Sequence, residues 1–312
     1  MLFEKLLVPL DGTAESAAAL PMARAMARAT DATFTLLRVV PAAADEQAIR
    51  QARRELDSVA GELTAGGLTA KTVVRTGDPA QQIIAQARAD ATDLIVMRTH
   101  GRAGLARAVL GSVAERVLAL SPVPLLLLRP GGQYVSQVKS LLVPVDGSPG
   151  GALALGAAVG LAEASGASLR LLQVVVPIPT YIYGAYVYNG ATFVDPAWDE
   201  EARVSAQTYV DGLAVRLRTG GLTVETEVCI APSVADAIAD IAEARDIDLI
   251  VMSTEALTGA ARAVLGSVAD AVGRVARCPV LLLRHEPPPV THEANATAEP
   301  HSREPDLMAV GT

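Results

Sequence analysis

The chain has 312 residues, 51% of them hydrophobic and 19% charged, with a formal net charge of −8. This is the composition of a folded globular protein rather than a disordered one, and the negative balance argues against a nucleic-acid binder, which needs a basic stripe to neutralise phosphates. No apolar run reaches the ~18–20 residues of a membrane span, and strand-like Leu6–Leu10 begins without a basic-then-apolar leader, so the protein is expected to be cytoplasmic, with no membrane partner.

Taken in chain order, short apolar runs alternate with helical stretches. Strands are predicted near Lys5–Leu10, Thr33–Val40, Ala70–Thr76, Asp93–Arg98 and Pro124–Arg129. Between them lie predicted helices near Ala14–Thr30, Asp45–Gly66, Pro79–Ala89 and Ser112–Leu120. The strand pattern then starts again at Ser140–Val145, Ser168–Val176, Thr223–Ile230, Asp248–Ser253 and Val280–Arg284. Near-continuous apolar runs such as Leu94–Met97 and Leu249–Met252 suit strands covered on both faces. Alternation of strand and helix implies a parallel sheet with right-handed crossovers. The expected fold class is therefore α/β, as two doubly wound five-stranded domains.

The repetition is literal. KLLVPLDGT (Lys5–Thr13) returns as SLLVPVDGS (Ser140–Ser148), and RAVLGSVAERV (Arg107–Val117) as RAVLGSVADAV (Arg262–Val272). Expected boundaries are 1–130 for the first domain, 131–138 for a linker and 139–285 for the second domain, followed by a disordered tail over 286–312. Asp11 and Asp146 are 135 positions apart, whereas Gly111 and Gly266 are 155 apart, so the second copy has gained 20 residues. These are placed at 177–200, a segment rich in aromatics that includes Tyr181, Tyr183, Tyr186, Tyr188 and Trp198. It reads either as a flap packed on its own domain or as a lid or partner surface. Cys229 and Cys278 have no metal-ligand spacing and suit small apolar roles; no metal site is expected.

In an open parallel sheet, ligands sit at the carboxyl ends of strands where the strand order reverses. Two loops of the first copy matter most. After the first strand, Pro9-Leu10-Asp11-Gly12-Thr13 puts Asp11 at the strand tip, where it either accepts hydrogen bonds from ribose hydroxyls or merely turns the chain, with Thr13 capping the next helix. After the fourth strand, Arg98-Thr99-His100-Gly101 runs on to Gly111-Ser112, and glycines before a helix start let backbone amides approach a phosphate. Ser112-Val113-Ala114-Glu115 is also a capping box, and the two roles are compatible.

The VPLDGT opening, the Gly-x9-Gly-Ser run and the terminal PVPLLLLR together resemble the universal stress protein family, and the chain looks like a tandem member over residues 1–130 and 139–285. The resemblance implies a strand order of 3-2-1-4-5 and, in the subgroup with Gly-x2-Gly-x9-Gly-Ser/Thr, ATP binding, with or without Mg. It would place Pro9, Asp11 and Val39 around base and ribose, Met97 along the pocket, and Gly101, Gly111, Ser112 and Val113 around the phosphates. Arg98 stands where the subgroup has its first glycine and either strengthens phosphate binding or fills the pocket. In the second copy the three glycine positions hold Ser253, Ala256 and Gly266, and Gly77-Asp78-Pro79 becomes Ala231-Pro232-Ser233. Asp146, Gly266, Ser267 and Val268 thus form a weaker counterpart, and the second copy is expected to serve chiefly as a structural partner.

The leading expectation is an adenine-nucleotide-binding stress-response protein that acts through binding-linked conformational or partner regulation. The alternative is a nucleotide-free scaffold or dimerisation module with a degenerate glycine loop. The two copies are expected to pair as an internal pseudo-dimer through Leu125–Leu128 and Val280–Leu283, and the chains to form homodimers. Slow ATP hydrolysis is the most enzymatic activity expected, since no Walker loop is present.

Overall fold

The structure, a computed structural model, describes residues 3–99, 111–132, 134–177, 197–255 and 267–285. Its first half runs β1 (Lys5–Pro9), α1 (Ala14–Ala17), α2 (Leu20–Thr30), β2 (Thr33–Val40), α3 (Glu46–Ala65), β3 (Ala70–Thr76), α4 (Pro79–Ala89), β4 (Leu94–Arg98), α5 (Ser112–Leu120) and β5 (Leu125–Leu128). The second runs β6 (Ser140–Pro144), α6 (Pro149–Ser165), β7 (Ser168–Val175), α7 (Ala197–Thr219), β8 (Val224–Ile230), α8 (Val234–Ala244), β9 (Leu249–Glu255), α9 (Ser267–Val275) and β10 (Val280–His285). One helix departs from expectation. The stretch 14–30 breaks between α1 and α2 because Pro21, at the start of α2, has no amide to give to the Ala17 carbonyl. No proline interrupts the equivalent α6 beyond its first position, and it runs unbroken.

All ten strands form one sheet in the order β3-β2-β1-β4-β5-β10-β9-β6-β7-β8. Each half is parallel and has the expected 3-2-1-4-5 order in its own count. The halves meet at a single antiparallel seam, in which Leu125, Leu126 and Leu127 pair with Leu282, Leu281 and Val280. Successive strand residues point to opposite faces, so Leu6, Val8, Leu126 and Leu281 enter a core under α2 and α6, while Leu7, Leu127 and Leu282 enter a second core under α4, α5, α8 and α9. Both cores run across the seam. Among the described residues no helix is long and apolar enough to cross a membrane.

Three expectations about the chain's layout change. The offset between copies is 135 at Asp11/Asp146, 154 at Gly66/Gly220 and 155 at the matching helix caps Asp78 and Ser233. Nineteen of the 20 extra residues therefore precede α7 and one falls between β8 and α8, so Asp78 corresponds to Ser233 rather than to Pro232. Residues 197–200, assigned to the insertion, form the first turn of α7; 178–196 lie outside the described residues, as do 286–312. The expected linker is packed against the fold: Val138 is buried, Tyr134 and Val135 lie on the first core, and a Cβ at Gly132 would come within 2.5 Å of the Arg277 carbonyl oxygen.

Candidate functional site

The ends of β1 and β4 lie side by side, and their chains leave in different directions to α1 and α5. That divergence leaves a crevice at the switch point, here a cavity of about 310 Å³. Eight residues singled out from the sequence line it: Pro9, Asp11, Val39, Met97, Arg98, Gly111, Ser112 and Val113. Gly101 lies outside the described residues. The sequence reading missed Leu37, Ser16, Pro79 and Ile83. Strand alternation points to Leu37, two positions before Val39 on the same face, and Ile83 follows Pro79 by one helical turn. Leu37, Val39, Ile83 and Met97 together form an apolar wall of the cavity.

The start of α5, which also lines the cavity, is arranged differently from the expected capping box. Gly111, in extended conformation, occupies the cap position, and Ser112 is already the first helical residue; no side chain caps α5. Glu115 reaches Arg274 of the second half at 3.3 Å instead of turning back on its own helix. The first-turn amides are thus not claimed by a capping side chain, which suits them to an anion. Asp11 does perform the turn role: Oδ1 accepts from the Thr13 amide at 2.9 Å and the Thr13 hydroxyl at 2.6 Å, while Thr13 Oγ1 accepts from the Ser16 amide at 3.1 Å.

Arg98 follows Met97 on β4 and leaves the sheet on the opposite face, toward Tyr134. Burial pushes the Tyr134 hydroxyl up, and the charge and hydrogen bond of Arg98 oppose that shift. The same hydroxyl donates to the Arg129 carbonyl just beyond β5. Arg98 Nε is buried without a hydrogen-bond partner. On the outer rim, Arg116 on α5 pairs with Asp78 at the start of α4 at 2.6 Å. The Arg116 hydrogen bond, followed by that of the Gln81 amide, holds the Asp78 carboxyl below the usual carboxylate range.

The second half repeats this crevice with a cavity of about 630 Å³. Pro144, Asp146, Leu172, Val174, Ile238, Met252, Ser267 and Val268 occupy the positions of Pro9, Asp11, Leu37, Val39, Ile83, Met97, Ser112 and Val113. Gly266 lies outside the described residues. This cavity is the larger of the two. Its lining includes small residues at positions where the first half has larger ones: Ser253 stands at the position of Arg98 and Gly151 at that of Ser16. A Cβ at Gly150 would lie 2.7 Å from Ser253 Oγ, so the two positions fit closely. No group of three or more metal-binding side chains occurs among the described residues.

Paired doubly wound domains, each with a crevice at its switch point and a helix start opening into it, define a Rossmann-like class of α/β proteins. Residues 2–129 and 137–284 each match the universal stress protein family, and the chain belongs to that family, with two of its domains in tandem. A universal stress protein of Mycolicibacterium smegmatis is 25% identical over 300 residues, covering 89% of this chain and 96% of that protein. Universal stress protein YxiE of Bacillus subtilis is 29% identical over 148 residues, covering 41% of this chain and 100% of its own length. The crystal structure of a universal stress protein from Archaeoglobus fulgidus has the same fold, with a TM-score of 0.67 at 21% identity over 90% of this chain and 98% of that one.

Proposed function

We propose that the first half binds ATP and that the chain acts as a nucleotide-responsive stress protein rather than as an enzyme. The observation that carries the reading is the convergence of eight sequence-nominated residues on one cavity, apolar at Val39 and Met97 and open to the uncapped start of α5 at Gly111–Val113. The apolar wall suits a base, Asp11 a ribose, and the helix start a phosphate. Mg enters only as the counter-ion of the triphosphate. Arg98 supplies the regulatory link, since it lines the cavity and reaches Tyr134, which is tied to the end of β5 beside the interdomain seam.

The proposal includes a cytoplasmic homodimer. Leu120 and Val275, equivalent positions at the ends of α5 and α9, are 50% and 39% exposed and supply matching apolar contacts; sedimentation should give twice the chain mass.

ATP-Mg at 100 times its dissociation constant should stabilise the protein by about 2.7 kcal/mol. Ser112→Glu should remove the thermal shift while leaving the fold intact, because a carboxylate suits a helix start but repels phosphate. A wild-type protein that releases no nucleotide on denaturation and does not shift in millimolar ATP-Mg is the nucleotide-free scaffold instead.

A further inference from the structure

We propose that the outward face of α7 is a self-association surface, on which a second copy of the chain lays its own α7 antiparallel about a two-fold axis. The inference does not rest on ATP in the first half. Toward the sheet, α7 buries Ala206, Val210 and Ala214. On the side away from it, Val204, Thr208, Gly212, Val215 and Thr219 recur at helical spacing and form one uncharged stripe. Val204 and Val215 are 50% and 60% exposed. The hydroxyls of Thr208 and Thr219 donate to the Val204 and Val215 carbonyls, each at 2.9 Å, so neither offers a free hydroxyl proton to water. The solvent side of a surface helix is ordinarily charged, as it is on α3, where the positions of Val204 and Thr208 hold Arg50 and Arg54.

The stripe is self-complementary. In a two-fold contact, if one residue meets a second, the second meets the first. With the axis passing beside Val210, Val204 meets the second copy's Val215, and Thr208 meets its Gly212, where the lack of a side chain lets the helices approach closely. A Cβ at Gly212 would meet nothing within 4 Å, so the chain's own packing does not require a glycine there. The flanks choose the direction. Glu200 and Glu201 stand at the start of α7, and Arg216 and Arg218 in its last turn. Antiparallel pairing sets each acidic end against a basic one, whereas parallel pairing sets like charges together. Among the described residues Glu201 and Arg216 form no ion pair of their own, and Arg218 donates to the Val224 carbonyl at 3.0 and 2.7 Å but to no carboxylate. α7 packs on the opposite face of the sheet from α5 and α9, which carry Leu120 and Val275, so the two contacts do not compete. A single helix pair is smaller than a standard interface; it therefore joins dimers at high protein concentration and does not hold the basic dimer.

The test is sedimentation equilibrium of the full chain carrying Leu120→Lys, which disables the contact at the end of α5 so that the two surfaces are read apart. That chain should still pair as its concentration rises. Val204→Glu and Val215→Lys, each added to it, should weaken the pairing about tenfold or more, because each sets an unpaired charge against the second copy's valine. Glutamate suits the start of a helix and lysine its end, so neither change should lower the melting temperature. Mixing the two variants in equal amounts should restore association, since the introduced glutamate then faces the introduced lysine while the two remaining valines meet. Both changes in one chain should restore it as well. A Leu120→Lys chain that stays monomeric, a single variant that pairs as before, or a mixture no tighter than its components would overturn the proposal. So would a lower melting temperature for Val204→Glu with pairing unchanged, which would assign the face to residues 178–196 of the same chain.

Discussion

Asp90 shows how one side chain ties several elements of the first half together. Its carboxylate accepts from Thr35 Oγ1 on β2 at 2.9 Å, from Gln86 Nε2 on α4 at 2.8 Å and from Lys71 Nζ on β3 at 2.8 Å. Burial raises its pKa, but the Lys71, Gln86 and Thr35 bonds outweigh burial and leave it below the usual value. A lowered folded-state pKa means that the unfolded chain binds the proton more readily. The stabilisation is therefore fully present above the unfolded value of about 3.9 and is lost as pH falls through the lower folded value. Asp90→Asn should cost about 1.5–3 kcal/mol at pH 7 and flatten the acid limb of a stability-against-pH curve measured by urea titration; an acid limb of unchanged steepness would rule Asp90 out as its source. Cys278 is the opposite case: burial pushes its thiol to about 12, so at pH 8 it should resist alkylation until the protein unfolds. The environment of Asp90 was not legible in the sequence, because long-range partners such as Thr35 and Lys71 carry no local signature, whereas the apolar role expected of Cys278 agrees with its packing against the second core. Asp11 was legible because strand ends and turn chemistry are written locally, whereas Val39 and Met97 came from the family resemblance.

At the scale of elements, the strands were the most readable feature, since burial on both faces leaves a continuous apolar run that periodicity detects. Helix boundaries were less so: Pro21 broke the first helix, and a glycine took the cap that Ser112 was expected to hold. The one-residue difference before α8 was hidden because adjacent Pro232 and Ser233 both resemble helix starters; only the Ser233 hydroxyl, accepting from the Asp236 amide, fixes the register. The seam also carries a symmetric pair of contacts. Arg129, just beyond β5, donates to the Ala276 carbonyl at 3.2 Å, and the equivalent Arg284 donates to Ser121 at 3.0 Å and to Ala119 at 3.2 Å. Each guanidinium thus meets the carbonyl end of the other half's last helix, where a cation is favoured. Arg284→Ala leaves two carbonyls unpaired and should cost about 2 kcal/mol, whereas Arg129→Ala leaves one and should cost about 1. Chemical denaturation of the two variants checks the order, and a larger loss for Arg129→Ala would show that the helix-end bonds are not what these arginines contribute.

At the scale of the whole molecule, the question is whether two domains that each close their own parallel sheet behave as one unit. The cores say that they do. Leu126 and Leu281 face each other across the seam, are fully buried, and belong to a core that also contains Met26 on α2 and Ala157 on α6. The other core likewise joins Leu127 to Leu282. Separating the halves would expose both apolar layers together with two unpaired strand edges, an arrangement that folded proteins avoid. Unfolding should therefore be a single cooperative calorimetric transition in the wild type, despite the two-domain sequence. Leu281→Glu places a carboxylate in the seam with no cation to pair it, a penalty of several kcal/mol. That variant should melt in two transitions, one for each half. ATP should then raise only the first half's transition, because a ligand stabilises only the unit that binds it. Two transitions in the wild type would show that the seam joins the sheet without joining the folding units, and the link from Arg98 through Tyr134 to β5 would then have no second domain to act upon.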